Sequence, residues 1–441
     1  MQQIAFLLVA AAAFGYAGKQ FWDLRKKILL GKDEVITGDT AQRLQNVALI
    51  AFGQKKMFKR WIPAVLHLFI YVAFLLTQVE LIEILIDGLT GAHRFFYPIL
   101  GNLYVFIISF IEVLSVLALV ATVIFLIRRN IIKTPRLHKP EMKGWPLKDG
   151  NLILYLEVCL IFFIFLMNSA DMALYENKYG FAISQHLSGI WAGTSEANLH
   201  LLERIGWWGH ILVVFAFLNY LPMSKHLHIL LAFPNTYFSS LKSRGEMENM
   251  PAIMDEVKSM MGLTEGGEAE IDMDADLPEF GANDVLGLSW KNVLDAYSCT
   301  ECGRCTSVCP ANITGKKLSP RKILMDVRDR ADEIHSKLSS GDLQYAENKD
   351  LPLSKDNFSD GKSLFDYITR EEIHACTTCN ACVEACPVLI NPLQPILELR
   401  RYEILTESAG PTDWLPMFNS VENSGAVWSM PNERADWVKE L

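Results

Sequence analysis

Cys299-Thr300-Glu301-Cys302-Gly303-Arg304-Cys305-Thr306-Ser307-Val308-Cys309-Pro310 and Cys376-Thr377-Thr378-Cys379-Asn380-Ala381-Cys382-Val383-Glu384-Ala385-Cys386-Pro387 are two copies of one pattern. In each, three cysteines separated by two residues wrap a tight loop, so that three thiolates converge on one point. A fourth cysteine follows after three more residues and precedes a proline. This is the spacing of a paired [4Fe–4S] site, in which the fourth cysteine of each run ligates the other cluster. The reading assigns Cys299, Cys302, Cys305 and Cys386 to one cluster, and Cys376, Cys379, Cys382 and Cys309 to the second. Pro310 and Pro387 turn the chain after each fourth cysteine. Gly303 lets the backbone approach a sulfide closely, and Asn380, in the same place, tolerates left-handed geometry. Zinc sites usually pair two CxxC knuckles across a longer gap, which does not explain the same CxxCxxCxxxCP run twice over. The clustering also argues against disulfides and for a reducing compartment. With all eight cysteines used as ligands, and no redox dithiol, dinucleotide-binding glycine motif or nucleophile elbow, no catalytic residue is expected.

Outward from the motifs, about 66 residues separate the two runs. They include Leu318-Ser319-Pro320-Arg321-Lys322-Ile323-Leu324, a helix start with a serine cap and proline at the first helical position. Residues 289–410 read as a helix-rich dicluster domain, and 411–441 as a tail for partner contact. Residues 245–285 hold twelve Asp and Glu against one Lys. Such a stretch buries too little to fold alone, so 233–288 reads as an acidic linker. The net charge of −9 leaves no basic excess for phosphates, and nucleic acid is not an expected partner.

Residues 1–232 form the membrane half. Apolar stretches at about Ile4–Gly18, Ile62–Ile86, Ile99–Ile127, Leu152–Ala170 and Ile205–Pro222 approach or exceed the ~20 residues that span a bilayer. The first has no basic residue before it, while Lys19, Arg25, Lys26 and Lys27 follow, which favours an uncleaved anchor with its N-terminus outside. Segments 19–60 and 128–148 carry seventeen Lys and Arg, against three in 87–98 and 171–204. That bias puts the cysteine domain in the cytoplasm. The expected fold is mainly α: a five-helix transmembrane bundle followed by a helix-rich cytoplasmic 2[4Fe–4S] ferredoxin-like domain.

Polar groups in such helices call for a reason. His67 and His228 belong near the same cytoplasmic edge, and His210 lies at the outer end of the fifth span. If the helix continues through Pro222, His210 and His228 share a face at opposite depths. Two imidazoles at matching depth can hold a haem; interfacial histidines bonded to backbone or water remain the alternative. Glu112 falls mid-span, where proton handling at a quinone site and a neutral acid bonded to a neighbouring helix are both open. Glu80 and Glu157 lie in similar surroundings, and Cys159 reads as a small buried hydrophobe.

The stretch from Trp207-Trp208-Gly209-His210 through Pro222-Met223-Ser224-Lys225-His226-Leu227-His228 resembles the last helix of the gamma (cytochrome b) subunit of respiratory nitrate reductase, as do the five spans and the Arg128-Arg129 loop. The resemblance implies an inner haem b on His67 and His228. In that family an outer haem uses a histidine matching His210 and a second one at the slot that Thr77 holds here, a departure from the pattern that His93, His186 or His200 would have to make good. Cys302-Gly303-Arg304-Cys305, Leu318-Ser319-Pro320-Arg321-Lys322, Ala375-Cys376-Thr377-Thr378-Cys379 and Leu399-Arg400-Arg401 resemble iron–sulfur subunits of the heterodisulfide reductase family. The combination is similar to membrane oxidoreductases that link menaquinone to electron-transfer flavoprotein or to a thiol–disulfide couple. Those proteins carry CCG-motif domains for catalysis, and Asn432-Glu433-Arg434-Ala435-Asp436-Trp437 reads as the lead-in to one. The resemblance thus implies an electron-transfer subunit in a bacterial or archaeal inner membrane, serving menaquinone or another quinone. Its partner would be a CCG-domain iron–sulfur subunit or a flavoprotein. An iron–sulfur sensor and a coupling subunit of an ion-translocating complex are the rival readings.

Overall fold

A chain in hydrocarbon must satisfy its own backbone, and the apolar stretches do so as helices. The computed structural model describes residues 2–176, 178–247, 249–263, 280–428 and 435–439. It contains α1 (Gln2–Ile28), α2 (Trp61–Thr90), α3 (Asn102–Asn130), α4 (Trp145–Tyr175) and α5 (Glu196–Tyr220), each in a helical stretch long and apolar enough to cross a membrane. α1 runs well past Gly18 because its last turns have a second job. Leu24 is buried in the core of the cysteine half, with Phe21 and Ile28 packed against it, and Lys27 pairs with Asp332 at 2.8 Å. α4 and α5 approach closely at Gly206, where a Cβ would lie 2.5 Å from the backbone nitrogen of Met167. Small residues permit such contacts between membrane helices.

α5 does not continue through Pro222. It gives way to a single turn at Leu221–Met223, and Ser224 is extended (φ −113°, ψ 151°). Asp149 holds this break, accepting from Ser224 Oγ at 2.7 Å and from the Lys225 amide at 3.1 Å. A new helix, α6 (His228–Tyr237), then leaves the bundle. The condition for His210 and His228 to share one helical face is therefore not met. Residue 232 falls inside α6, and a further helix, Pro251–Met260, lies within the acidic stretch. Residues 264–279 of that stretch, and Asn432, Glu433 and Arg434 of the tail, are outside the described residues.

The cysteine half is helical, and among the described residues only isolated bridges are extended pairings. Its frame is α7 (Trp290–Tyr297), α8 (Pro320–Ser340), α9 (Leu393–Arg401) and α10 (Trp414–Ser424). Ser319 caps α8 ahead of Pro320, as the sequence predicts, and Ser289 caps α7 in a capping box with Asn292. α8 carries Ile323, Val327, Ala331 and Ile334 on its buried face, against Val293, Leu364, Ile373 and Ile396. This core continues without a gap into Leu24, Leu30, Leu221 and Leu227 of the membrane half. On α8 the fully buried Arg330 forks onto Asp284 and Asp360, with Nη2–Oδ2 of Asp284 at 2.6 Å and Nη1–Oδ2 of Asp360 at 2.6 Å. It thereby fastens the excursion between the two cysteine motifs.

Candidate functional site

Both cysteine loops turn through the same two left-handed positions: Glu301 (φ 50°) and Gly303 (φ 69°) in the first, Thr378 (φ 53°) and Asn380 (φ 59°) in the second. The equivalence of Gly303 and Asn380 is the one expected from residue type. These turns aim backbone N–H groups at sulfur. Glu301 donates to Cys299 Sγ at 3.4 Å, Thr378 to Cys376 Sγ at 3.4 Å, and Ile390 to Cys386 Sγ at 3.3 Å. The short helices Arg304–Val308 and Ala381–Ala385 then pack against each other, which crosses the fourth cysteines over. One cavity is lined by Cys299, Cys302, Cys305 and Cys386. A second is lined by Cys309, Cys376, Cys379 and Cys382. The structure thus groups the eight cysteines four and four.

The first cavity is ringed by cations. Arg321 is fully buried, donates to the Arg136 carbonyl at 2.7 Å and to Glu141 Oε1 at 2.7 Å, and leaves its Nε without a partner. Gly303 makes room for this guanidinium, since a Cβ there would meet Arg321 Nη1. The ammonium of Lys56 is buried with no hydrogen-bond partner; burial pulls it down to about 8, partly opposed by Cys386 nearby. Arg136 donates to the Cys302 carbonyl at 3.0 Å. Burial pushes the Cys299 and Cys386 thiols up to about 12. Four thiols, aimed N–H groups, the unpartnered Lys56 ammonium and the buried Arg321 guanidinium suit an anionic thiolate-bound metal cluster, whose binding itself draws the thiols into their ionised form.

The loops that touch this cavity are the basic ones, 54–60 and 134–142. Arg60 reaches Ser307 Oγ at 3.1 Å, Arg304 reaches the Lys56 carbonyl at 3.2 Å, and Lys59 pairs with Glu384. The cysteine half therefore docks on the basic end of the bundle. At that junction the His67 and His228 rings lie 6.5 Å apart, centroid to centroid. His67 Nδ1 is 3.1 Å from Gln54 Oε1, and His228 Nδ1 is 3.0 Å from the Lys225 carbonyl. Each Nδ1 thus has an oxygen partner, the arrangement that leaves Nε2 as the ligating nitrogen in metal-bound histidines. His226, unremarked by residue type alone, stacks on His228 at 5.4 Å with its Nδ1 buried and unpartnered.

The remaining candidates are placed elsewhere. His210 is held by the Leu160 carbonyl at 3.1 Å, and Thr77 spends its hydroxyl on the Phe74 carbonyl of its own helix. His93 pairs with Asp171 at 3.3 Å, His200 is exposed beside Glu196, and His186 is exposed. Glu112 is fully engaged by neighbours: it accepts from Asn168 Nδ2 (3.1 Å), the Ile183 amide (2.7 Å), and the Ser184 amide and hydroxyl (3.1 and 2.5 Å). It clamps the loop at the end of the bundle remote from the cysteines. Glu80 is buried with its Oε1 unpartnered. Cys159 is exposed on the outside of the bundle, not buried. Gln54, Lys56, Lys225 and Glu301 form the junction, and no spacing rule marked them; the signal was only their closeness in sequence to His67, His228 and the first motif.

Residues 298–390 match the family described as "4Fe-4S dicluster domain". The chain carries such a domain. Over 94% of its length it is 28% identical to "Probable iron-sulfur-binding oxidoreductase FadF" of Bacillus subtilis, and over 95% it is 25% identical to "EtfAB:quinone oxidoreductase" of Syntrophomonas wolfei. It spans 57% of the length of each. Over 43% of its length it is 29% identical to "Probable membrane-anchored ferredoxin" of Chromohalobacter salexigens, covering 29% of that protein. No solved structure matches the chain.

Proposed function

We propose that this chain is the electron-transfer part of a quinone-linked membrane oxidoreductase, joining the quinone pool to a redox partner through a haem b and two [4Fe–4S] clusters. The observation that carries the reading is the His67–His228 pair beside the cavity of Cys299, Cys302, Cys305 and Cys386. Two imidazoles sharing a metal at about 2.0–2.1 Å per bond have ring centroids about 6 Å apart, and the observed 6.5 Å is close to that. The haem and the clusters would supply one-electron chemistry. The protein's part is to hold them: Gln54 and the Lys225 carbonyl orient the imidazoles, and the Cys299 and Cys376 loops present thiolates with N–H groups aimed at sulfur. The assignment of the four and four cysteines as cluster ligands belongs to the same proposal.

The basic loops 19–60 and 128–148 and the cysteine half share one end of the bundle, which supports a cytoplasmic cysteine domain and an outer N-terminus. The quinone comes from the Syntrophomonas relative's name and from the resemblance of the bundle; a flavoprotein or a CCG-type iron–sulfur protein is the matching partner. The test is a reduced-minus-oxidised visible spectrum of the purified chain with iron, sulfide and haem assayed together. A sharp b-type band with about eight irons in clusters per chain supports the reading; cluster absorbance without haem overturns the haem route. His228→Ala is expected to abolish quinol-driven cluster reduction while leaving cluster iron in place.

A further inference from the structure

We infer that the cavity of Cys299, Cys302, Cys305 and Cys386 is the one that exchanges electrons with the His67–His228 site, and that Lys225 and Gln54 are the positioning residues that fix one site against the other. The inference rests on the reading above and deepens it.

Two bridges lead from the histidines, and both end at the same cavity. The Lys225 carbonyl accepts from His228 Nδ1, while its ammonium, largely buried, grips the Glu301 carboxylate. Glu301 is itself buried, takes Arg328 on its other oxygen at 2.8 Å, and gives its amide to Cys299 Sγ. On the other side, Gln54 meets His67 from a buried, left-handed position (φ 50°), a strained geometry for a non-glycine residue. Two residues on, the Lys56 carbonyl accepts from Arg304, which lines the same cavity between Gly303 and Cys305. The second motif also touches the membrane half, but at Glu384 (to Lys59), and the Val388 carbonyl just after the motif accepts from Asn235 of α6 (2.9 Å). These two flank Cys386, the cysteine that this motif lends to the first cavity. Lys139 reaches Asn312, three residues after Cys309, at 3.0 Å. Among the described residues no hydrogen-bonded chain runs from there to His67 or His228.

Each transfer moves one electron between a haem at the histidine pair and a [4Fe–4S] cluster in this cavity. One is oxidised as the other is reduced, no bond forms or breaks, and no proton is required. The cavity of Cys309, Cys376, Cys379 and Cys382, where Cys379 is exposed, then faces the partner.

The test uses the full chain in detergent with both cofactors loaded, mixed anaerobically with a menaquinol analogue. Haem and cluster reduction are followed separately by stopped-flow absorbance, and the two clusters are distinguished by their electron paramagnetic resonance signals. Lys225→Met cuts the bridge to Glu301 but keeps the carbonyl that holds His228. Relative to haem reduction in the same variant, cluster reduction should slow by about tenfold to a hundredfold, the range for disrupted ligand-supporting contacts, and one cluster's signal should shift. Lys225→Arg should restore most of the rate. Glu301→Gln cuts the same bridge from the cluster side and decides the matter if Lys225→Met loses its cofactors. In the wild type, oxidised haem should speed the spin relaxation of the cluster whose signal Glu301→Gln moves. Unchanged cluster reduction in a fully loaded variant, or relaxation enhancement of the other cluster, overturns this inference alone. A wild-type chain without haem overturns the underlying reading with it.

Discussion

Replacing Arg330 with methionine should detach the long excursion between the cysteine motifs while leaving both motifs intact in sequence. The side chain has no exposed surface, and its guanidinium makes paired bonds to Asp284 and to Asp360, plus one to the Lys362 carbonyl at 3.1 Å. Asp360 is 1% exposed and Asp284 13%, so the variant leaves two largely desolvated carboxylates. Breaking a buried pair from one side costs about 3–5 kcal/mol. The lower part of that range is favoured because Asp360 keeps Lys337 at 2.8 Å. At a urea dependence of about 1–3 kcal/mol per molar, the unfolding midpoint should fall by roughly 1–3 M. The assay is urea-dependent bleaching of the cluster absorbance, run under anaerobic conditions. Adding Asp284→Asn and Asp360→Asn to Arg330→Met should recover much of the loss, since the stranded charges, not the missing contacts, dominate it. A deficit under about 1 kcal/mol, the worth of an exposed pair, would refute the account.

Cys386→Ser should lower cluster iron from about eight to about four per chain, and the surviving signal should be that of the Cys376 loop even though Cys386 follows that loop in sequence. Gly206→Val should prevent accumulation of a folded bundle, because the Cβ would sit against Met167 backbone; Gly189→Ala, where nothing lies within 4 Å, should be neutral, and both are read by detergent-extracted yield. Lys337, with Tyr367 and Lys362, holds the Glu333 carboxyl down to about 2. Its folded value lies below its unfolded one, so its contribution is fully present above about pH 4.5 and lost as pH falls through about 2. Glu333→Gln should therefore be less stable than wild type at neutral pH, and the gap should close across that acid range in a pH series of thermal scans.

The parts that were legible in sequence are those governed by local chemistry. Cysteine spacing announces which thiols share a cavity, residue type announces left-handed turns at Gly303 and Asn380, and Ser319-Pro320 announces the start of α8. Uninterrupted apolar runs locate five helices. What escaped is set by tertiary partners. The end of α1 extends because Leu24 finds a core far along the chain, and α5 breaks because Asp149, on another helix, captures Ser224 and the Lys225 amide. Glu112 looks like a mid-span acid by periodicity, yet four donors from Asn168, Ile183 and Ser184 give it a structural task. The His67–His228 pair could be proposed from depth, but Gln54 carries no motif, and Lys225, although it lies in the stretch around His228, gives no sign in sequence that its carbonyl orients that ring.

The exchange of cysteines between the two loops has a consequence for how the molecule comes into being. Neither cavity has all four of its cysteines until the second motif has been synthesised, long after the first loop and all five apolar helices have left the ribosome. The bundle can therefore be inserted before any iron is committed. Each loop then acts as the other's checkpoint: a chain truncated between Cys309 and Cys376 can complete neither site.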